Sequence, residues 1–392
     1  MNNKNGMKLF ILGNFIIFLG FGCFLNFQGV HLKTLGFPES FVGTLFGIQT
    51  MTTAIGALLC SFIVRILNPK KTLVIACFLL SIASIFMAIF KNSILLMLFS
   101  GISGFCFSAF YTLESPIIMS LSSKNNSLKY FSISFTTKMA AMMFGTLLGG
   151  FLSQYLMSTK QTLLLFGFIS ILISPIFLFL GDIQIENSKN NIFTDIGTFI
   201  SSRNSFQYLL FSGLVSLGAG MIFPFFSIYI KYTLHVNNSL VGTIVTLSQL
   251  GIVIGGLLIP LIQSRFGKIE TIVMCQGLSI PFLLGISLTK NIYLVGISFF
   301  MRSALMNMAQ PALQNMSMEI VTPEQRTNYS GFLNLSNNFL RAIGTFVGGF
   351  IMTHINYDFP YFLTSTLYII AVFRFWIVFR TKKAIEATQI NI

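Results

Sequence analysis

Residues 40–45 read Ser-Phe-Val-Gly-Thr-Leu, and residues 239–244 read Ser-Leu-Val-Gly-Thr-Ile, 199 positions later. The same displacement aligns Ile-Gly-Ala-Leu-Leu at 55–59 with Ile-Gly-Gly-Leu-Leu at 254–258. It also aligns Gly-Thr-Leu-Leu-Gly-Gly-Phe at 145–151 with Gly-Thr-Phe-Val-Gly-Gly-Phe at 344–350. Three matched patches in one register are hard to obtain by chance, even in hydrophobic sequence of low complexity. The chain is a tandem repeat.

Composition says what is repeated. Of 392 residues, 54% are hydrophobic and 9% charged, with 45 Phe among them. Soluble domains carry about 25% charged residues, so this chain cannot cover a globular surface with charge. Chains that stay unfolded are polar and poor in aromatics, which excludes disorder. Apolar runs at 9–30, 41–64, 72–90 and 206–230 reach or pass the roughly 18 residues that cross a bilayer as helix. Nothing alternates over about 10 residues as barrel strands do. The first run is too long for a signal-peptide core and lacks a cleavage site, so it reads as a retained span. The five Cys (Cys23, Cys60, Cys77, Cys106 and Cys275) all lie in apolar segments, so they read as small buried hydrophobes.

Twelve helices are expected at 9–31, 40–64, 72–90, 94–121, 130–157, 162–180, 206–231, 239–263, 271–289, 292–319, 329–354 and 359–379. Residues 181–205 form the one long polar stretch and fall mid-chain, as a linker between two bundles of six spans at 1–180 and 206–392. Two such parallel repeats are the build of secondary transporters that rock about a midplane site. With the N-terminus inside, fifteen Lys and Arg fall on the inner side and five on the outer. That bias places both termini and the linker in the cytoplasm of a cell with the chain in its plasma or inner membrane. The net charge of +14 follows from this topology and needs no nucleic acid to explain it.

The second-half loop Ser264-Arg265-Phe266-Gly267-Lys268 keeps the Arg-x-Gly-Lys end of a signature loop in the major facilitator superfamily. The first half keeps only the basic tail, Arg65 and then Asn68-Pro69-Lys70-Lys71. The Asp of that signature is absent from both copies, with Arg65 and Ser264 at its position. Pro323-Glu-Gln-Arg326 is similar to the superfamily's matching loop before the eleventh span. Over nearly its whole length the chain resembles this superfamily, loosely its 12-span drug/proton antiporters. It lacks that subgroup's Arg in the fourth span and the Pro of its fifth-span Gly-Pro-x-x-Gly-Gly. The resemblance implies an all-α membrane fold of two pseudo-symmetric six-helix bundles whose first, fourth, seventh and tenth helices line a cavity. It also implies alternating access, with Arg65, Lys70, Lys71, Arg265 and Lys268 in loops that close the cytoplasmic side.

Charges inside a span cost at least about 2.5–3.5 kcal/mol, so each needs a reason. Glu114 is the lone deep acid of the first half, beside Pro116 and one turn beyond Phe110 and Tyr111. A carboxyl in an apolar, partly dry site can take up and release protons near neutrality. Lys138 lies at similar depth and shares a face with Gly145 and Gly149, whose spacing marks close packing. Glu114 and Lys138 are therefore expected as a proton-coupling site or as a structural ion pair, two roles that are compatible. Arg302 in the tenth span and Arg341 in the eleventh are candidates for substrate contact or for ion pairing. Arg374 is expected to snorkel to the headgroups. Asn26, Gln28, Asn307 and Gln310 are candidate hydrogen-bonding contacts, and Phe110 and Tyr111 candidate aromatic ones. Lys138, Arg302 and Arg341 against Glu114 leave a charge of +2, which suits an anion. Pro224 marks a bending point in the seventh span.

Catalytic signatures are missing: the three His sit at span ends, with no HExxH, GxSxG or P-loop. The chain is expected to be no enzyme and to need no cofactor or metal. The expectation is a monomeric secondary transporter, coupled to protons and exporting amphipathic small molecules. Uptake of a small organic anion or other nutrient is the alternative, and a non-transporting sensor or scaffold is the alternative from another class.

Overall fold

A computed structural model of the chain describes residues 3–122, 127–180, 183, 196–321 and 326–390, and among them the regular structure is entirely helical. The first half comprises α1 (Asn3–Thr34), α2 (Glu39–Leu67), α3 (Pro69–Ile89), α4 (Ser93–Leu121), α5 (Ser127–Tyr155) and α6 (Thr159–Ile173). The second comprises α7 (Ile196–Ser201), α8 (Arg203–Ile222), α9 (Phe226–Thr233), α10 (Asn238–Phe266), α11 (Lys268–Leu288), α12 (Ile292–Met308), α13 (Gln310–Glu319), α14 (Arg326–His354) and α15 (Phe359–Ile390). All twelve expected spans are found. Eleven are long and apolar enough to cross a membrane on those grounds alone. The twelfth, α14, is as long as its counterpart α5 but carries more polar residues.

Prolines divide three spans. The seventh is α8 and α9 joined by a 3-10 turn at Phe223–Phe225 around Pro224. The tenth, expected as one helix, is α12 and α13, with Ala309 between them and Pro311 in the first turn of α13. The sixth ends in a 3-10 turn at Ser174–Phe179 with Pro175 at its start. Proline lacks the N–H for the i−4 bond, so each break falls where a backbone bond is missing. Pro116, by contrast, sits within an unbroken α4. Most of the 181–205 linker lies outside the described residues, as do Pro323, Glu324 and Gln325. Its end is not simply polar chain: α7 buries Phe199 against the rings of Tyr329 at 5.1 Å and Phe332 at 6.1 Å.

The chain forms two compact units, one of Met1–Ser188 with Pro224–Thr246, the other of Lys189–Phe223 with Leu247–Ile392. In the first, α1 packs along α5, and α2 and α3 along α4. Its core includes Phe10, Phe18, Phe107, Phe110 and Phe177. In the second, α8 packs along α14 and α15, and α11 along α12 and α15. Its core includes Tyr208, Phe211, Tyr329 and Phe375. The assignment of Pro224–Thr246 to the first unit follows from contacts made by those residues. Ser227 Oγ donates to Asn26 Oδ1 at 3.1 Å, and Gly242 lets α10 approach α5 at Gly150.

The duplication is legible bond by bond. Thr146 Oγ1 donates to the carbonyls of Met142 (2.9 Å) and Gly22 (3.2 Å). Thr345 Oγ1 donates to those of Arg341 (2.9 Å) and Gly220 (3.2 Å). In each seam a Cβ on the glycine, Gly145 or Gly344, would run into the carbonyl of Leu19 or Leu217. Asn92 and Asn291 cap α4 and α12 identically, each side chain accepting from the amides two and three residues on. Asn68 and Gly267 turn the chain with φ of 58° and 87°. Gly36 and His235 repeat the device with φ of 90° and 53°.

All these pairs are 199 residues apart except those in the first and seventh spans, where Leu19 matches Leu217 and Gly22 matches Gly220 at 198. Thr34 and Thr233, which close those spans, are again 199 apart. One additional residue therefore lies between Gly220 and Thr233, the stretch that contains the 3-10 turn at Pro224.

Candidate functional site

The approach of α5 to α4 brings three polar side chains together in the first unit. Lys138 Nζ forms an ion pair with Glu114 Oε2, and Ser134 Oγ donates to Glu114 Oε1 at 2.6 Å. The Lys138 side chain is 8% exposed and that of Glu114 13%. An ion pair so shielded is costly to break, because either partner left alone is a stranded charge. Ser134 and Lys138 are one turn apart on α5, so one face of that helix addresses both carboxylate oxygens.

Aromatic rings enclose the ammonium. Lys138 Nζ lies 5.3 Å from the centroid of Phe18 and 5.7 Å from that of Tyr111. The quadrupoles of such faces attract a cation. Phe107 stacks on Phe21 at 3.9 Å and meets Tyr111 edge-on at 5.0 Å. Tyr111 is 49% exposed, so this cluster has a surface as well as a core. Phe110 is in the core instead, 2% exposed and 6.0 Å from Phe177. The aromatic wall thus comes from Phe18, Phe21, Phe107 and Tyr111; Phe107 lies in the aromatic stretch 105–111 that the sequence offers as a pocket lining, whereas Phe18 and Phe21 were not singled out. The i, i+3 and i, i+4 spacings of these four on two helices were the available signal.

The remaining candidates are dispersed. Asn26 is buried, donating to Gly22 O (2.9 Å) and Thr146 Oγ1 (3.0 Å). Gln28 donates to Met87 Sδ at 3.1 Å beside a small internal cavity of about 30 Å³. In the second unit Arg302 is 5% exposed and turned inward, with Nη2 3.5 Å from Tyr368 Oη. Asn307 donates to Ser303 O one turn back, and Gln310 is exposed at the start of α13. Arg341 is exposed although its backbone forms the seam with Gly220. Asn334 and Asn338 lie seven and three residues before it, on the same face of α14. Asn334 is exposed and Asn338 half-buried. This polar stripe within a membrane-length helix accounts for the low hydropathy of α14. It was legible as a run of Asn at helical spacing.

In the candidate gate loops, Lys268 Nζ donates to Asn315 Oδ1 (2.5 Å) and to both Glu319 oxygens (2.7 and 2.8 Å), tying α11 to α13. The guanidinium of exposed Arg265 lies 5.7 Å from the Phe266 ring centroid. Lys70 is half-buried, Lys71 is exposed with its amide capped by Asn68, and the side chain of Arg65 lies outside what is described. Arg374 is exposed and donates to Gln207 Oε1 at 2.9 Å.

The opposite end of the first unit has its own polar cluster. Lys33 pairs with Glu39, and Lys231 donates to Asn238 Oδ1 at 2.6 Å. Asn238 also donates from Nδ2 to Ser153 Oγ (3.0 Å) and Thr159 Oγ1 (3.2 Å), and its backbone N–H to Gln154 Oε1 (3.1 Å). One side chain thereby fastens α10 to α5, α6 and α9.

The duplicated seams and twelve spans agree with a family model that matches the chain twice, over residues 10–212 and 208–390. The chain belongs to the Major Facilitator Superfamily. Crystal structures of the superfamily fold are similar throughout. A variant of the nucleoside transporter NupG superposes with a TM-score of 0.83 at 14% identity, covering 95% of this chain and 99% of that one. A bacterial homolog of the human lysosomal transporter Spinster, inward-facing and unoccupied, gives 0.77 at 14% identity, covering 97% of each chain. No curated protein matches. As a member of the superfamily the chain is a multi-pass membrane transporter with a small-molecule substrate, and not an enzyme.

Proposed function

We propose that the chain is a proton-coupled secondary transporter working by alternating access, with Glu114 as the proton carrier, and that it exports amphipathic small molecules. The observation that carries the coupling is the shielded triad of Glu114, Lys138 and Ser134. A proton arriving on Glu114 removes the charge that holds Lys138, so proton occupancy and the position of a buried cation are linked. The aromatic surface at Tyr111 supports an amphipathic cargo, since such rings accept an apolar body of many shapes. In the second unit, Arg341 and Asn334 are exposed on α14 and are candidate polar contacts for cargo. The inner loops at Lys70, Lys71, Arg265 and Lys268 act as the cytoplasmic closure, and the two helical halves, 1–180 and 206–392, act as the rocking bodies of a monomer in the plasma or inner membrane.

A second reading follows from the same ion pair. An anionic cargo engages Lys138 most readily once Glu114 is protonated, so cargo and proton would bind together and uptake would be favoured. The two differ in the sign of proton movement. Purified protein in proteoliposomes, challenged with amphipathic fluorescent dyes and with small organic acids under pH gradients of both polarities, separates them. Proton movement opposite to the transported compound marks export by exchange, and movement with it marks co-transport. In either case Glu114→Gln is expected to abolish gradient-driven flux while leaving counterflow exchange. Unchanged gradient-driven flux would reject Glu114 as the carrier.

A further inference from the structure

Asn14 on α1 is 2% exposed, and neither atom of its amide has a hydrogen-bond partner among the described residues. Buried amides are nearly always paired, because leaving one unpaired in an apolar interior is expensive. An amide kept there in spite of the cost is a candidate for a bond made in another state of the protein.

The repeat shows what Asn14 faces. Asn14 lies eight residues before Gly22, and Lys138 lies seven before Gly145. In the second unit Ser212 lies eight before Gly220, and Asn337 seven before Gly344. The two seams make the same Thr-to-carbonyl bonds, so the helices run in the same register. There Ser212 Oγ donates to Asn337 Oδ1 at 2.7 Å. The corresponding pair of the first unit is Asn14 and Lys138. Phe18, one turn after Asn14 on the same face, already lies 5.3 Å from Lys138 Nζ.

We infer that Asn14 is a positioning residue for Lys138: when Glu114 takes up a proton, the ammonium leaves Glu114 Oε2 and donates to Asn14 Oδ1. This rests on the proposed role of Glu114 as proton carrier. The proton comes from solvent and ends on the Glu114 carboxyl, Lys138 keeps all its protons, and the site gains one positive charge. Asn14 keeps that charge hydrogen-bonded inside the seam, so protonation of Glu114 does not strand a bare cation. Of the groups around the ammonium, Glu114 and Tyr111 come from α4, Ser134 from α5 and Phe18 from α1, and the match with Ser212 and Asn337 adds the neutral Asn14 from α1. The turn after α6 presents Ile176 and Phe177 to α1 at Gly13. Lys8 on α1 is exposed.

The test is a pH titration of the purified full chain by infrared difference spectroscopy, following the protonated-carboxyl band and requiring no substrate. The band assigned to Glu114 is the one lost in Glu114→Gln. Asn14→Leu is expected to lower the pH at which that band reaches half its height by about one unit, a tenfold loss of proton affinity. Asn14→Asp, which supplies Lys138 with a second carboxylate, is expected to raise it. Asn14→Ser, which keeps an acceptor, is expected to stay close to wild type. A role in packing alone does not move the midpoint in opposite directions for two variants. An unchanged midpoint in both Asn14→Leu and Asn14→Asp, with the band present, overturns the role of Asn14 alone. No band lost in Glu114→Gln overturns the proton-carrier assignment and this inference with it. Asn14→Leu is expected to fold, since it removes a buried unpaired amide; should it not, Asn14→Asp against Asn14→Ser decides.

Discussion

At the residue scale the ion pair of Glu114 with Lys138 is the most consequential feature, and its energetics are asymmetric. Removing one partner strands the other, which costs about 3–5 kcal/mol in buried pairs, whereas replacing both with apolar groups is often close to neutral. Lys138→Met is therefore expected to lower the thermal stability of the purified protein more than the double change Glu114→Gln with Lys138→Met. A double-mutant cycle from unfolding in detergent measures the coupling, expected to exceed about 1 kcal/mol. Additive effects would mean that solvent screens the pair. The sequence disclosed these residues by the price of an intramembrane charge. It did not disclose direction. Arg302 was legible as deep, but only the packing of α12 on its neighbours turns its guanidinium toward Tyr368. Asn14 was not legible, because a single Asn in an apolar run looks like any tolerated polar residue until its counterpart Ser212 is seen hydrogen-bonded.

Among the elements, the seams of α1 with α5 and of α8 with α14 matter most. Gly145 and Gly344 occupy equivalent places, each with a carbonyl of the neighbouring helix where a side chain would sit. Gly145→Val and Gly344→Val are each expected to force the helices apart, destabilising the protein by about 1–3 kcal/mol or more. The measurement is the midpoint of thermal unfolding together with monodispersity on size exclusion. The two variants should behave alike, and a large difference would argue that only one seam is tight. Small residues at four-residue spacing made these contacts readable from sequence. The breaks were half readable. Pro224 pointed to its own 3-10 turn, whereas Pro311 and Pro116 carry the same local signal with opposite results: one opens a new helix, and the other sits within α4. Neighbouring packing, which no local pattern records, decides between them.

For the whole molecule the charge bias fixes a testable orientation. All five native Cys are buried, so a membrane-impermeant maleimide has little background to label. Cys placed at Lys91 or Lys290 is expected to react in intact cells, and Cys at Lys71 or Arg265 only after permeabilisation. The reverse pattern would invert the topology. The repeat made the fold legible early, since one displacement of 199 aligned three patches. The change to 198 within the seventh span was invisible there, because hydrophobic sequence tolerates many alignments and only the backbone contacts choose one. That change has a consequence of its own. In a continuous helix one added residue shifts the side chains that follow by about 100°; here the 3-10 turn at Phe223–Phe225 interrupts the helix, and Thr34 and Thr233 again correspond. Around Pro224 the seventh span is thus broken where its twin α1 runs as one helix. Where Gln28 meets Met87, the residue 199 places later, Ser227, meets Asn26. Two halves of a doubled chain are interchangeable only where their lengths agree; at this one place they differ by a residue, so the outgoing ends of the first and seventh spans are not equivalent.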